Sequence, residues 1–146
     1  MLRLGKLTDY AILIMSQMAK QSDITMSAAT LAEQLHLGAP TVSKILKMLS
    51  DAHLVYSVRG AEGGYHLARA PLNISVADVV LAMESGLALT ECCESPNLCA
   101  LESMCTMQEN WRKINTMIQS LLSRLTILDM LAPLSENGLS EELLHD

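Results

Sequence analysis

The chain has 146 residues, half of them apolar, with one Trp, three Tyr and no Phe. A chain of this length can bury one hydrophobic core, and so few aromatic side chains favour packed helices over an aromatic-rich sheet. The formal net charge of −6 excludes a protein that is basic over its whole surface, but it leaves room for one basic face that docks on DNA.

Basic residues are concentrated in the first half of the chain. Residues 1–69 contain seven Lys and Arg against five Asp and Glu, a net charge of +2. Residues 70–146 contain three against eleven, a net charge of −8. The first half is therefore the candidate nucleic-acid interface, and its binding to DNA should depend steeply on salt.

The N-terminal segment contains an apolar run that is too short for a targeting or membrane segment. The run, residues 11–15, is preceded by Asp9 and ended by Ser16 and Gln17. A signal peptide needs a longer apolar region, and a bilayer span needs about 20 apolar residues. The sequence therefore predicts a cytoplasmic protein with no membrane partner.

Three helices are predicted in the first 52 residues. The first covers residues 8–20, and Asp9 in its first turn suits the positive end of the helix dipole. The second, residues 28–36, is capped by Ser27. The third, residues 40–52, begins with a proline, which needs no N–H at a helix start. This order predicts a helix-turn-helix, although helical hairpins also occur in proteins that do not bind DNA.

A β-hairpin is predicted directly after the third helix. Residues 54–58 and 65–68 have strand character, and the turn between them is rich in glycine. A hairpin after a recognition helix is the wing of a winged helix, and Arg59 at its tip suits the minor groove. The glycines of the turn let the backbone approach phosphates closely, although an ordinary hairpin turn would also use them.

The predicted DNA interface combines the helix-turn-helix with the wing. Its residues are Ser27, Pro40, Thr41, Ser43, Lys44, Lys47, Arg59, Gly60, Gly63 and Gly64. We expect Thr41, Ser43 and Lys44 to read the major groove and Lys47 to contact a phosphate. Residues 1–70 are therefore predicted to form a winged helix-turn-helix domain.

A linker and a helix are predicted for residues 71–90, and a long helix for residues 103–131. In the long helix, apolar residues recur at alternating intervals of three and four from Met104 to Leu128, a heptad pattern. So small a domain cannot bury this seam alone, so we expect a homodimer with two recognition helices for two half-sites. Packing within one chain is the alternative. The predicted interface residues are Trp111, Ile114, Ile118, Leu121, Leu125 and Leu128. Residues 132–146 are predicted to be a flexible tail.

All four cysteines lie in a predicted loop over residues 91–108. They are Cys92, Cys93, Cys99 and Cys105. Core thiols would be scattered, and a disulfide framework belongs to oxidising compartments. Zinc sites usually pair cysteines two to four residues apart, whereas iron–sulphur clusters accept wider spacing. A thiol redox site would be expected to contain Cys-x-x-Cys. Spacing alone leaves the cluster, zinc and redox explanations open.

Several segments resemble the Rrf-type winged-helix transcription regulators, a family that includes IscR-like and NsrR-like proteins. The similar segments are LGKLTDYA (4–11), PTVSKIL (40–46), VRGAEGGY (58–65) and TEC (90–92). The resemblance extends to about residue 130 and is closest to regulators of SUF-type iron–sulphur assembly. It implies a mainly α fold with a small β-hairpin wing. It also implies a homodimer on double-stranded operator DNA, a [2Fe–2S] or [4Fe–4S] cluster, and no enzymatic activity.

The resemblance implies that three cysteines of the loop bind the cluster. The first family cysteine follows Thr-Glu, which selects Cys92 here, with Cys99 and Cys105 as the second and third. Cys93 would give the shorter first gap of IscR-like members, and it stays an alternative to Cys92 or a spare.

The fourth ligand differs from the IscR-like pattern. Those members have a histidine three residues after the last cysteine, where this chain has Gln108, and an amide is a poor iron ligand. Some relatives with Thr-Asp-Tyr in the first helix instead use that aspartate from the partner subunit. Asp9 occurs in this context and is therefore the candidate fourth ligand, with Cys93 as the alternative.

The sequence thus predicts a DNA-binding repressor of SUF-type assembly genes, switched by cluster occupancy or redox state. One alternative is a repressor of other genes that senses nitric oxide or redox state. Another is a zinc-based or thiol-based DNA-binding regulator.

Overall fold

Six α-helices and one β-hairpin make up the described part of the chain, residues 3–135 of this computed structural model. The helices are α1 (Lys6–Lys20), α2 (Ala28–Leu35), α3 (Ala39–Asp51), α4 (Val76–Met83), α5 (Glu91–Glu94) and α6 (Gln108–Arg124). The strands are β1 (Val55–Val58) and β2 (Gly64–Leu67). The predicted mainly α fold with a β-hairpin wing is confirmed. Of the predicted tail, residues 136–146 lie outside the described residues.

Helices α1, α2 and α3 form the core through apolar residues that recur every three or four positions. These buried residues are Ala11, Ile14, Met15, Met18, Leu31, Ala32, Val42, Ile45, Leu46 and Leu49. Complete burial of one such Leu or Ile side chain contributes about 1.5–3 kcal/mol. Burial of this stripe fixes the orientation of α3, so its opposite, polar face points away from the core.

The wing is attached to the helix-turn-helix at its base. Strands β1 and β2 are antiparallel, with Val55 opposite Leu67 and Val58 opposite Gly64. The amide of Tyr65 donates to the carbonyl of Met26 at 2.8 Å, and the amide of Met26 donates to the carbonyl of Tyr65 at 3.1 Å. The segment before α2 therefore extends the hairpin and fixes the wing relative to α2.

The predicted helix over residues 103–131 is too long. Helix α6 has 17 residues, from Gln108 to Arg124. Beyond it the backbone becomes extended at Leu125, whose carbonyl accepts from the amide of Val76 at 2.7 Å. The amide of Ile127 donates to the carbonyl of Ile74 at 2.9 Å, and its side chain is fully buried. Burial of Ile127 requires the chain to leave the helix, so Leu125 and Leu128 are not on the helical seam.

The predicted cysteine loop also contains a short helix that the sequence analysis missed. Helix α5 is a single turn that carries Cys92 and Cys93. The connection from α4 to α5 and the turns between α5 and α6 hold this segment against α6. In the part of the chain described, no helix is both long enough and apolar enough to span a bilayer.

Candidate DNA interface and cysteine site

The outer face of α3 is polar and basic. Ser43, Lys44 and Lys47 are exposed, and Thr41 is half-buried. The other side of the helix packs in the core, so these four side chains belong to the face that α3 presents outward, which also exposes Pro40 and, at the last turn, Asp51. This is the arrangement that a recognition helix needs. Their contacts with DNA stay a prediction.

Ser27 and Pro40 occupy helix starts. The Ser27 hydroxyl accepts from the amide of Thr30 at 3.0 Å and so caps α2. Pro40 is exposed in the first turn of α3, which begins one residue earlier than predicted, at Ala39. His36 ends α2 in the left-handed conformation, with φ of 54°, and turns the chain towards α3. The two helices therefore form the predicted helix-turn-helix.

The wing tip presents Arg59 and Gly60, both exposed. Gly60 has φ of 127°, which favours glycine. A Cβ atom on Gly63 would lie 2.6 Å from the carbonyl oxygen of Val58. The glycine-rich turn is thus required by the packing of the hairpin itself, and a closer approach to phosphate stays a prediction.

A polar contact that the sequence analysis missed joins the wing to the segment before α2. The Thr25 hydroxyl lies 2.5 Å from Nε2 of His66, whose ring stacks on Tyr56 with 5.5 Å between centroids. The His66 ring is half-buried in this contact. Tyr56 remains 49% exposed on the wing, so a large aromatic surface adjoins the predicted interface.

Two of the four thiols share one hydroxyl. Thr90 Oγ1 lies 3.1 Å from Sγ of Cys92, and it donates to Sγ of Cys93 at 3.2 Å. Cys92 is buried, whereas Cys93, Cys99 and Cys105 are half-buried, and all four thiols are free. The hydroxyl of Thr90 thus contacts both the predicted first ligand, Cys92, and its alternative, Cys93.

The first turns of α6 contact both halves of the loop that carries the cysteines, predicted over residues 91–108 and here named the cysteine segment. Arg112 donates through Nε to the carbonyl of Cys92 at 3.2 Å and through Nη2 to Glu102 at 3.2 Å. Gln108 donates to Glu102 at 2.7 Å, and the amide of Asn97 donates to the same carboxylate at 2.5 Å. Glu102 and Arg112 were not singled out from the sequence, because neither belongs to a ligand motif.

The donor set of the segment suits an iron–sulphur cluster in its chemistry, because thiolates are the usual ligands of such clusters. The thiols, however, are not grouped around a common point. Within residues 3–135, no three side chains of His, Cys, Asp or Glu are grouped so that they could hold a metal ion. Asp9 lies exposed on α1. The predicted ligands Cys92, Cys99 and Cys105 would have to move together to bind.

A polar cavity of about 430 Å³ adjoins the two neighbouring thiols. It lies between α5 and α6 and is lined by Cys92 and Cys93 on one side and by Arg112, Asn115 and Gln119 on the other. The cysteine segment is therefore not packed tightly against α6, which leaves space for rearrangement.

An apolar face of α6 is exposed in the single chain. Trp111 and Ile114 are each 41% exposed and Met117 is 55% exposed. Ile118 and Leu121 are half-buried. Neighbouring exposed apolar side chains are typical of interaction sites, and pairing of two subunits through this face stays a prediction.

A family model described as an iron-dependent transcriptional regulator, Rrf2, matches residues 4–133. The chain belongs to the Rrf2 family of transcriptional regulators. The predicted family is therefore confirmed, and with it a DNA-binding regulator of transcription.

Relatives of this Rrf2-family chain include regulators with different names. The regulator NsrR of Halalkalibacterium halodurans is 27% identical over 132 residues, which cover 89% of this chain and 90% of that one. Among solved structures, T. potens IscR is 29% identical with a TM-score of 0.70, and the match covers 89% and 86% of the two chains. CymR, the global cysteine regulator of B. subtilis, is 25% identical with a TM-score of 0.72, covering 90% and 97%.

Proposed function

We propose that this Rrf2-family regulator is a homodimeric repressor whose affinity for a double-stranded operator is set by an iron–sulphur cluster, [2Fe–2S] or [4Fe–4S]. The observation that carries the proposal is that all four thiols lie on one segment fastened to the first turns of α6. Resemblance to the SUF branch supports iron–sulphur assembly genes as its targets. On this proposal it regulates transcription in the cytoplasm and catalyses no reaction.

The proposed ligands are Cys92, Cys99 and Cys105, with Cys93 as an alternative to Cys92. A bound cluster would supply a reversible redox and ligand-exchange centre. The chain's own residues position the thiols: Thr90 aligns the two on α5, and Arg112 anchors the carbonyl of Cys92 to α6.

The proposed fourth ligand is the partner's Asp9. Gln108 already donates its amide to Glu102, so it acts within the loop and leaves a fourth position to another residue. A carboxylate is a harder donor than thiolate and is more easily displaced from iron. A ligand on α1 would also connect the cysteine segment of one protomer to the DNA-binding unit of the other. Asp9→Ala protein with normal cluster content and normal switching would remove Asp9 from this role.

The cluster proposal is tested by the colour and composition of anaerobically purified protein. We expect brown protein with visible absorption, iron and acid-labile sulphide. Cys99→Ser and Cys105→Ser should each lose the absorption, and comparison of Cys92→Ser with Cys93→Ser should identify the first ligand. Colourless protein with equimolar zinc would overturn the cluster and leave DNA binding intact.

The DNA interface is tested by selection of operators from random duplexes, followed by affinity measurements at several salt concentrations. Lys44→Ala and Lys47→Ala should each weaken binding to the operator. Loss of the lysine that contacts a phosphate should also reduce, by about one, the slope of log affinity against log salt concentration. Lys20→Ala removes an equal charge from the exposed end of α1 and should have little effect. Equal losses for all three variants would contradict the assigned face.

A thiol-based or zinc-based regulator is the second candidate. The observation in its favour is that all four thiols are free and are therefore available to an oxidant or to a zinc ion. On this alternative, a zinc ion or oxidation of the half-buried thiols would alter the DNA affinity without iron. Measurement of operator affinity for oxidised, zinc-loaded and cluster-loaded protein separates these cases.

A further inference from the structure

The connection between α4 and α5, residues 84–90, is fastened at both ends and is here named the strap. Towards α6, the amide of Leu89 donates to Oδ1 of Asn115 at 2.9 Å, and Gln119 donates to the carbonyl of Leu87 at 2.9 Å. Asn115 is only 5% exposed, so its contact with the strap lies in a water-poor setting. The strap then leads directly into α5 and its two cysteines.

At its other end the strap is attached to α1 by Glu84. Glu84 Oε1 accepts from the amide of Gly5 at 2.8 Å and from the hydroxyl of Thr8. Gly5 is the N-cap of α1 and has no side chain that could accept a hydrogen bond. The carboxylate of Glu84, 79 positions away, accepts the amide of this N-cap residue, as the carboxylate of a capping box does from within its own helix. Its negative charge also suits the positive end of the helix dipole.

The contact between Glu84 and α1 is specific. The Thr8 side chain is 1% exposed, so loss of its partner would leave a buried hydroxyl unsatisfied. The Thr8 hydroxyl, followed by the Gly5 amide, lowers the pKa of Glu84, as expected for a carboxylate that these donors hold in its charged form. A Cβ atom on Gly5 would lie 2.8 Å from Glu84 Oε1, so the glycine makes room for the carboxylate.

Helix α1 is the support on which the DNA-binding elements rest. It packs against α2, α3 and β2 through core residues such as Ile14 and Met15, both fully buried. A change in the position of the α1 start is therefore transmitted to the recognition helix and to the wing by direct packing.

We propose that the strap couples the state of the cysteine segment to DNA affinity, and that Glu84 is the positioning residue at its junction with α1. This inference rests on the proposed function for the event that changes the cysteine segment. Movement of α5 or of the first turns of α6 shifts the strap, and Glu84 passes the shift to Gly5 and Thr8. The strap would then shift the populations of two conformations of the DNA-binding unit, which differ in their affinity for the operator.

The test compares full-length wild type with Glu84→Gln and Thr8→Val, each with and without cluster. Operator affinity is measured in both states, together with amide hydrogen exchange of the α1 start. In wild type we expect the state of the segment to change both quantities, and allosteric couplings are typically about 5- to 150-fold in affinity. In both variants the affinity ratio should fall several-fold below the wild-type ratio, because only the route through the proposed ligand Asp9 remains, while iron content and cooperative unfolding are retained.

Glu109→Gln is the matched control, because it makes the same acid-to-amide change on the exposed side of α6. It should keep the wild-type ratio. A wild-type ratio in Glu84→Gln and Thr8→Val would overturn the role of the strap, as would an equal loss in Glu109→Gln.

A second readout keeps this inference separate from the cluster. Alkylation of the thiols with iodoacetamide changes the cysteine segment without iron. Wild-type protein should then show altered exchange at residues 5–9, and Glu84→Gln should not. That result supports the strap even if no cluster binds, whereas unaltered wild-type exchange in both alkylated and cluster-loaded protein overturns it.

Discussion

Glu102 accepts hydrogen bonds from two elements and so unites the cysteine segment. Its carboxylate accepts from the amide of Asn97 on one side and from Gln108 and Arg112 of α6 on the other. IscR-like relatives have a histidine where this chain has Gln108, and the sequence suggested only that a ligand was missing. In the structure the side-chain amide of Gln108 donates a hydrogen bond to Glu102. Gln108 is therefore part of the support of the loop.

Gly64→Ala should destabilise the protein by about 1–3 kcal/mol or more, the range of overpacking. A Cβ atom there would lie 2.6 Å from the carbonyl oxygen of Met26. The nearest atoms are all backbone atoms of Met26 and Ser27, so no flexible side chain can move aside. Urea unfolding followed by circular dichroism measures the loss. Gly86→Ala is the matched control, because a Cβ atom there meets nothing within 4 Å, and it should be close to neutral. Equal stability of the two variants would contradict the requirement for glycine at position 64.

Residues on repeating faces could be predicted from the sequence, but partners distant along the chain could not. Periodicity places Ser43, Lys44 and Lys47 on the face opposite the core, and the structure shows all three exposed. Glu84 and Gly5 are 79 positions apart, and no local pattern records such a pair. The same holds for Arg112, which reaches Cys92 across 20 positions.

At the scale of elements, the heptad spacing predicted α6 but neither of its ends: the helix begins at Gln108, after the predicted start at residue 103, and ends at Arg124. The spacing of Leu121, Leu125 and Leu128 continues the pattern, so the pattern does not indicate where the helix stops. Tertiary packing decides where the helix ends: the side chain of Ile127, which is not on the seam, is buried in the core, and its amide donates to the carbonyl of Ile74. The periodicity of apolar residues describes one face of one helix. It does not indicate whether a residue after the end of that helix, such as Ile127, is buried.

Ile127→Ala should cost about 2–5 kcal/mol, the usual range for such a truncation in a core. Ile127 is fully buried beside the amide–carbonyl pairing with Ile74. Leu128→Ala is the control on the neighbouring residue, which is 45% exposed and should cost much less in a single chain. Chemical unfolding at low protein concentration compares them. A larger loss for Leu128→Ala would favour the longer helix that the sequence predicted.

The turn after Ile127 should be sensitive to acid. The Thr126 hydroxyl, followed by the Thr126 amide, lowers the pKa of Asp129 below its ordinary value of 3.8. A lowered folded-state pKa gives a contribution that is present above about pH 3.8 and lost as the pH falls through the folded value. The stability difference between wild type and Asp129→Asn, measured by urea unfolding over a pH series, should therefore shrink below this pH. A difference that stays constant to the lowest pH would contradict the assignment.

At the scale of the whole molecule, two sides of α6 differ in their contacts. One side contacts α4, the strap and the cysteine segment, and the neighbouring side exposes Trp111, Ile114 and Met117. The hydrophobic core of a single chain is therefore complete without these apolar residues of α6, which remain exposed to water. Pairing of two such surfaces would place two recognition helices together, as a two-fold operator requires.

Ile114→Glu should convert the proposed dimer to monomer. A carboxylate in an apolar interface loses its hydration without gaining a partner, which costs several kcal/mol in each of two copies. Sedimentation should show half the mass, and operator binding should weaken by about 10²-fold or more because the two half-sites are no longer bound together. Ser123→Glu is the matched control: it is nine residues, about two and a half turns, further along α6 and therefore on its opposite, exposed side. A monomeric wild type, or a dimer that survives Ile114→Glu while its fold is intact, would place the subunit interface elsewhere.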